Sequence, residues 1–203
     1  MLLTHGFADN ATTWDATFPR LAEHFDVTRW DLRGHGRSAA PIDPLAYSPA
    51  VALADLESTA TELGPRAVLV GHSLGGFLSL KLALQHPHRV RSLVMVASGP
   101  GFRDPDARAK FNAVIDRMAG AMPAPVAPLA HHDDDWVMRH LDRLACPLLI
   151  IVGERDTRFH AGADYLGRVV PTSTTVVVPG AGHHPQRDDP NAVVEAILAH
   201  LGS

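Results

Sequence analysis

Short apolar runs alternate with longer amphipathic segments along this chain. The apolar runs predict β-strands at residues 2–4, 27–30, 67–70, 92–97, 147–152 and 174–178. The amphipathic segments predict helices at residues 14–25, 49–63, 161–170 and 191–201, and a further helix directly follows the third strand. Strands that are separated by helices form a mainly parallel sheet covered on both faces. The pattern therefore predicts a doubly wound α/β fold.

The stretch between Gly99 and Cys146 interrupts this alternation. Its first part has apolar residues at helical spacing, at Phe111, Val114, Ile115 and Met118. The Ala/Pro-rich linker over residues 121–130 ends that helix, because proline has no backbone N–H and clashes with the preceding turn. A second helical pattern over residues 136–144 is interpreted as a helix that packs before the next strand. Residues 100–132 are therefore predicted to form a short lid of one helix and a proline-rich loop.

The length of 203 residues fits one folded domain, so residues 1–203 are predicted to form a single unit. Acidic residues number 22 and basic residues 18, for a net charge of -4, and the two signs are scattered rather than grouped. This distribution argues against nucleic acid and against an anionic membrane surface as partners. It favours a small neutral or weakly charged molecule.

Cys146 is the single cysteine, so no disulfide can form within the chain, and we interpret it as a small buried hydrophobic residue. The first residues lack the basic and apolar regions of a signal peptide. No run approaches the roughly 18 apolar residues that a membrane span requires. The sequence therefore predicts a cytoplasmic protein.

The strand predicted at residues 67–70 leads directly into Gly-His-Ser-Leu-Gly over residues 71–75, which a helix-forming segment follows. A strand, a sharp turn and a helix place Ser73 at the apex of a nucleophile elbow. The flanking glycines are required because neighbouring backbone passes close to them. Ser73 is the candidate nucleophile, and the adjacent His72 is interpreted as a packing residue without a chemical role.

A serine hydroxyl is a weak nucleophile at neutral pH and needs a base, which a carboxylate orients in turn. Asp156 and His183 each directly follow a predicted strand, and the carboxyl ends of parallel strands bring their loops together. The glycine-rich loop before His183 can turn its imidazole toward Ser73. The alternative is that Asp156 caps a helix or pairs with Arg158, in which case Asp104 is the candidate acid.

The run His-His-Asp-Asp-Asp over residues 131–135 contains residue types that bind zinc and harder cations. Adjacent residues rarely converge on one ion, however, and the run follows a proline-rich linker. Asp133 or Asp134 is therefore predicted to cap the helix that begins near Trp136, in a solvated position. No metal site is predicted.

Five motifs occur in order along the chain, and together they resemble those of the α/β-hydrolases, in the lid-bearing esterase and lipase superfamily. They are an oxyanion-loop motif at residues 5–7, a loop motif at residues 31–38, the elbow at residues 71–76, an acid loop at residues 153–156 and a histidine loop at residues 180–183. The resemblance covers nearly the whole chain. It implies the α/β-hydrolase fold with a small helical lid.

The resemblance also implies a role for each candidate residue. Ser73 is the nucleophile, His183 acts as general base and then as general acid, and Asp156 orients the imidazole and stabilises its cation. The oxyanion hole consists of the backbone N–H groups of Phe7 and Leu74. The expected function is the hydrolysis of carboxylic esters through an acyl-enzyme, with neither a metal nor a cofactor.

Several alternatives remain within this resemblance. The same triad supports a thioesterase, a C–C bond hydrolase, and a lyase or perhydrolase, and a ligand-binding receptor can retain its triad without turnover. His184 is a less favoured base than His183, because the family places the base directly after the last glycine of the loop. The candidates for apolar walls of the site are Phe7, Phe77, Phe102, Met118, Met122 and Leu129.

Most members of this family begin with two further strands, whereas this chain begins within the strand at residues 2–4. We therefore expect the strand at residues 27–30 to lie at an exposed edge of the sheet, where another chain can pair with it. Either unusual stability or a homodimer through that edge is predicted. The short lid predicts an accessible and permissive site for a small-molecule ester.

Overall fold

The fold is built around one six-stranded sheet in the computed structural model, which describes residues 1–202. The strands, in chain order, are β1 Leu2–Thr4, β2 Thr28–Trp30, β3 Ala67–His72, β4 Val90–Val96, β5 Leu148–Gly153 and β6 Ser173–Val178. Their order across the sheet is β2-β1-β3-β4-β5-β6, and all neighbouring pairs are parallel. The predicted doubly wound α/β fold is confirmed.

Helices connect the strands and cover the sheet. The α-helices, in chain order, are α1 Phe18–Ala22, α2 Pro49–Glu62, α3 Leu74–Gln85, α4 Pro105–Ala119, α5 Trp136–Arg139, α6 His160–Val169, α7 Pro185–Asp188 and α8 Pro190–Leu201. Single 3-10 turns occur at Ala11–Trp14, Pro44–Ala46, Pro87–Arg89, Ala127–Ala130 and Leu141–Arg143. Within residues 1–202, no helix combines the length and apolar character needed to cross a membrane.

The sheet separates two hydrophobic cores, because successive strand residues point to opposite faces. Leu2 and Leu69 pack on the face covered by α2, α3 and α6. Leu3 and Val70 pack on the opposite face, against α1 and α8. The central strands β3, β4 and β5 are largely buried along their length. Strands buried on both faces have continuous apolar sequences, which is why the hydrophobic pattern located them.

The helix predicted over residues 14–25 is wrong in extent. The structure has a 3-10 turn that ends at Trp14, and α1 follows it separately. Pro19 lies in the first turn of α1 and has no backbone N–H to donate to the preceding turn, so the two pieces cannot join into one helix.

The helix predicted over residues 136–144 is also wrong, since it divides into α5 and a 3-10 turn. The ring Nδ1 of His140 contacts the carbonyl oxygen of Trp136 at 2.7 Å, and this oxygen is the acceptor that a continuous α-helix would use. The backbone N–H of His140 instead donates to Val137, three residues back, at 3.1 Å. The side chain thus replaces one helical hydrogen bond and ends the α-helix.

Residues 100–132 contain one α-helix followed by an irregular stretch with one 3-10 turn, and their role as a lid stays a prediction. Asp104 begins α4 and accepts a hydrogen bond from the Asp106 N–H at 2.9 Å. Asn112 on α4 accepts from the backbone N–H of His132 at 2.9 Å and donates to its carbonyl oxygen at 3.2 Å. The end of the proline-rich stretch is therefore clamped to the helix that precedes it.

The strand β2 forms an edge of the sheet, which confirms the expectation for residues 27–30. It contains three residues, and the central Arg29 pairs with Asp15 and lies 4.8 Å from the ring centre of Phe18. A short edge strand with a charged side chain is a common protection against pairing with other chains. The homodimer through this edge stays a prediction, which sedimentation velocity over a range of protein concentrations will test.

Candidate active site

Ser73 lies at the turn between β3 and α3, with a backbone φ of 49° and ψ of -112°. A positive φ is strained for a residue with a side chain, and such strain clusters at functional sites. The Ser73 N–H donates to the carbonyl oxygen of Val96 at 2.9 Å, and the Ser98 hydroxyl donates to the Ser73 carbonyl oxygen at 2.7 Å. The end of β4 and the loop after it therefore hold the turn in place.

The glycines on either side of Ser73 permit the close packing of this turn. A Cβ atom added to Gly71 would lie 2.3 Å from the carbonyl group of Gly75. A Cβ atom added to Gly75 would lie 2.4 Å from the carbonyl oxygen of Thr4 on β1. Both obstacles are backbone atoms that cannot rotate away, so the elbow requires glycine at these positions.

We expect Gly75→Ala to lower the free energy of unfolding by about 3 kcal/mol or more, because the new methyl group overlaps the backbone of β1. Urea denaturation followed by circular dichroism measures this change. Gly120→Ala is the matched control, since Gly120 has helical φ and ψ angles and an added Cβ atom would lie 3.4 Å from the Arg117 carbonyl oxygen. Equal stability of the two variants would contradict the steric argument.

Asp156 and His183 are in direct contact, because 2.8 Å separates Oδ2 of Asp156 from Nδ1 of His183. An ionised carboxylate only accepts hydrogen bonds, so Nδ1 carries the proton and Nε2 keeps a lone pair. Burial by itself would raise the pKa of the Asp156 carboxyl. The hydrogen bond and charge of His183, with the backbone N–H groups of Phe159 and Arg158, outweigh burial and hold this pKa below its usual value. Asp156 is therefore ionised at neutral pH.

His72 connects the loop of His183 to the elbow. Its buried ring donates from Nε2 to the carbonyl oxygen of His183 at 2.8 Å, and the two ring centres lie 4.9 Å apart. Burial lowers the pKa of His72 well below its usual value, so this ring is neutral. The sequence interpretation gave His72 only a packing role, and its position directly before Ser73 was the signal that it also ties the two loops together.

The structure brings Asp156 and His183 together but does not join Ser73 to His183, since the hydrogen bonds of residues 1–202 include none between these two side chains. The ring of His183 stacks on Phe159, with 5.0 Å between ring centres and 15° between planes. Phe159 and Ser73 line the same cavity. The His183 ring therefore lies beside the wall of the cavity that Ser73 faces.

Phe7 and Leu74 also line this cavity. Leu74 is the first residue of α3, where backbone N–H groups have no acceptor within the helix. The hydrogen bonds described for residues 1–202 include none donated by the Phe7 N–H or the Leu74 N–H. The geometry thus leaves two unpaired backbone donors on the loops that flank Ser73.

His5 holds the loop that carries Phe7. Its Nδ1 donates to the carbonyl oxygen of Gly6 at 2.6 Å, and its Nε2 accepts from the Leu32 N–H at 2.9 Å. Burial lowers the pKa of His5 to about 4 against the opposing effect of the Gly6 hydrogen bond. The ring is therefore neutral at physiological pH, in the tautomer that both contacts require.

The cavity has a volume of about 310 Å³, at the lower end of the range for small-molecule sites. Its walls are mainly apolar and include Phe7, Phe77, Phe102, Phe111, Ile115 and Phe159. The prediction that Met118, Met122 and Leu129 belong to these walls is wrong. Met118 is 42% exposed, whereas Leu129 is buried in the core under α2 and α3, because the chain turns away from the cavity after α4.

Neither alternative residue takes part in the contact between Asp156 and His183. Asp104 is exposed and caps α4, so it does not contact His183. The Nε2 atom of His184 lies 3.8 Å from Oδ2 of Asp9. Cys146 is buried, as the sequence predicted, and burial raises the pKa of its thiol to about 11.

Asp9, His72 and His184 are the residues beside the elbow that could hold a metal ion, since one ligand atom from each lies within 4.8 Å of the others. Sequence reasoning missed this group because its members are distant along the chain. Arg187 donates to Oδ1 of Asp9 at 2.6 Å. The Asp9 carboxylate is therefore already paired with the cationic side chain of Arg187.

The run over residues 131–135 has two different environments. The N-cap position of α5 is Asp135 rather than the predicted Asp133 or Asp134, although Asp134 accepts a hydrogen bond from the Trp136 N–H at 2.9 Å. The solvated position predicted for Asp133 and Asp134 agrees with their exposure, whereas the ring of His132 is buried among aromatic side chains next to the cavity. His131 instead pairs with Asp116 at 2.8 Å.

Comparison with known proteins gives a consistent result. The family model described as alpha/beta hydrolase fold matches residues 1–139. The chain is similar to a pimeloyl-[acyl-carrier protein] methyl ester esterase of Klebsiella pneumoniae, with 34% identity over 143 residues. That match covers 70% of this chain and 49% of the esterase, so the chain spans about half the length of this relative.

Solved structures show the same architecture over a greater length. A thermophilic esterase from Thermogutta terrifontis matches with a TM-score of 0.84 and 24% identity, and the match covers 99% of this chain and 88% of the esterase chain. A hydrolase from Pseudomonas aeruginosa matches with a TM-score of 0.83 and 24% identity, over 100% of this chain and 89% of its own. At this level of identity, the similarity establishes the fold.

Proposed function

The chain belongs to the α/β-hydrolase fold family, and on that premise we propose that it is a serine hydrolase that cleaves carboxylic esters. The observation that carries this proposal is the contact of 2.8 Å between His183 and Asp156 beside the cavity that contains Ser73. A protonated Nδ1 leaves the Nε2 of His183 as the basic atom of the site. The esterase name of the Klebsiella relative supports an ester substrate.

In the proposed reaction, the Ser73 hydroxyl oxygen attacks the ester carbonyl carbon while Nε2 of His183 takes the hydroxyl proton. The negative oxygen that forms accepts hydrogen bonds from the backbone N–H groups of Phe7 and Leu74, and Asp156 stabilises the imidazolium. Hydrogen bonds between nucleophile and base are often long before a substrate binds, so we expect the contact between Ser73 and His183 to tighten in the complex.

In the next step, His183 acts as a general acid. The tetrahedral intermediate collapses, the C–O bond to the alcohol breaks, and the His183 imidazolium gives its proton to the departing alcohol. The acyl group remains on Ser73. Water then attacks this acyl-enzyme with His183 as the base. The bond between the acyl carbon and the Ser73 oxygen breaks, His183 returns its proton to that oxygen, and the carboxylic acid leaves.

A fluorophosphonate probe tests the nucleophile directly. We expect the probe to label the wild-type protein and to leave Ser73→Ala unlabelled, because the phosphorus atom reacts with an activated serine oxygen. Ser98→Ala is the matched control, since Ser98 also lines the cavity and should not be the site of attachment. Labelling that survives in Ser73→Ala, or disappears only in Ser98→Ala, would overturn the assignment.

A panel of esters and thioesters with matched acyl groups tests the reaction class. Sustained turnover with a preference for esters supports the proposal, whereas a preference for thioesters favours the thioesterase alternative. A single turnover followed by retention of the ligand would instead indicate a receptor.

A further inference from the structure

His132 is a polar ring in an apolar wall. It is 9% exposed, and its ring centre lies 4.1 Å from that of Phe77, 4.8 Å from Phe111 and 5.6 Å from Phe102. These four residues line the cavity that contains Ser73. A phenylalanine or leucine would fill the same space without a buried polar atom.

The two ring nitrogens of His132 have different surroundings. Neither nitrogen makes a hydrogen bond within residues 1–202. Nδ1 is buried, whereas Nε2 remains accessible. Burial, together with the charges of Lys81 and Arg108, lowers the pKa of His132 to about 4, so the ring is neutral at physiological pH. Polar atoms inside proteins nearly always have a partner, so the unpaired Nδ1 is an exception, and the accessible Nε2 is the ring nitrogen that a ligand in the cavity can reach.

The neutral ring carries one hydrogen, and its place follows from the surroundings. A buried N–H without an acceptor is rarer in proteins than a buried acceptor without a donor. The sealed Nδ1 is therefore assigned the lone pair, and Nε2 carries the hydrogen. The ring thus presents a hydrogen-bond donor to the cavity.

The backbone holds this donor in a fixed position. Asn112 binds both the N–H and the carbonyl oxygen of His132, which anchors the residue to α4. On the other side, a Cβ atom added to Gly101 would lie 2.8 Å from Nδ1, so the absence of a side chain there makes room for the ring. These contacts fix His132 in the wall of the cavity.

We propose that His132 forms a polar subsite in the cavity, and that the substrate is an ester whose acyl chain carries an uncharged oxygen that accepts a hydrogen bond from Nε2. A keto or ether oxygen meets this description. The inference rests on the proposed esterase function. Phe77 follows Ser73 by one turn of α3 and contacts His132, so the oxygen lies several bonds from the ester carbonyl.

Methyl oxohexanoates with the keto group at successive carbons, compared with methyl hexanoate, test the subsite. At the best position we expect kcat/KM to exceed that for methyl hexanoate by about tenfold, the effect of one net hydrogen bond. His132→Phe should reduce this ratio to about one, since it keeps the ring and removes the donor. His132→Gln keeps a donor and should restore part of the preference.

His131→Phe is the matched control, because His131 is the adjacent histidine and does not line the cavity. It should keep the wild-type ratio. A ratio of about one in the wild type at every keto position would overturn the subsite, and so would an unchanged ratio in His132→Phe. A preference for the half ester of a dicarboxylic acid over the keto esters would contradict an uncharged acceptor. It would indicate that the substrate carries a carboxylate attracted by Lys81 and Arg108.

Binding to Ser73→Ala separates this inference from the proposed function. Titration with the intact keto ester should shift the ¹⁵N resonance of His132 Nε2, and methyl hexanoate should shift it less. If the wild type cleaves neither ester but the resonance still responds to the keto ester, the esterase proposal fails and the subsite stands. If both esters are cleaved equally and the resonance does not respond, the subsite fails alone.

Discussion

Replacing Ser73 with alanine is expected to lower kcat for p-nitrophenyl butyrate by about five to six orders of magnitude. The change removes the only atom that would form the bond to the acyl carbon, while the unpaired N–H groups of Phe7 and Leu74 and the apolar walls remain. Ester binding should therefore change little. Release of p-nitrophenol, measured with enzyme in excess, gives the residual rate.

Ser79→Ala is the matched control for this experiment. Ser79 lies on the same helix and is buried, but it does not line the cavity and its hydroxyl has no hydrogen-bond partner. Its removal should leave both kcat and stability close to the wild type. A kcat for Ser73→Ala within about tenfold of that of Ser79→Ala would place the nucleophile elsewhere.

Changing Asp156 to asparagine is expected to lower kcat by about four orders of magnitude. The amide has nearly the same shape, but it can donate a hydrogen bond to Nδ1 of His183. That contact favours the tautomer with the hydrogen on Nε2, which then cannot take the proton of Ser73. The steady-state rate with p-nitrophenyl butyrate measures the loss, and ¹⁵N spectra of the His183 ring report the tautomer.

Asp104→Asn is the control that decides between the two candidate acids. Asp104 is exposed at the start of α4, and its loss should cost only part of a helix cap. We expect its kcat to match the wild type. Full activity in Asp156→Asn together with lost activity in Asp104→Asn would transfer the acid to Asp104.

The fold was predictable because its central strands are buried on both faces. β3, β4 and β5 consequently consist of apolar runs, and the segments between them have helical periodicity. The errors occurred where one side chain or one proline altered a hydrogen bond. Pro19 separated a turn from α1, and His140 ended α5 after one turn. A change in the hydrogen-bond partner of a single residue cannot be recognised from the pattern of hydrophobic positions.

Of the candidate site, the sequence placed Asp156 and His183 on neighbouring loops that the structure brings into contact, while their roles and that of Ser73 stay predictions. Ser73, Asp156 and His183 each follow a strand of one parallel sheet, so their order along the chain brings them to the same edge. The apolar walls were harder to predict. Phe77 and Phe102 line the cavity, whereas Met118 faces solvent and Leu129 enters the core. All four are apolar, so composition alone could not separate them.

By itself, the sequence determined the parallel α/β sheet, the elbow at Ser73 and the order of its two partner loops, because hydrophobic periodicity and glycine spacing act over short stretches of chain. Only the tertiary structure decided the environment of His132, which depends on Asn112 twenty residues away and on the ring of Phe77 from another helix. Burial is a property of how distant elements pack. For that reason the hydrophobic pattern did not reveal that His132 is buried in the wall of the cavity.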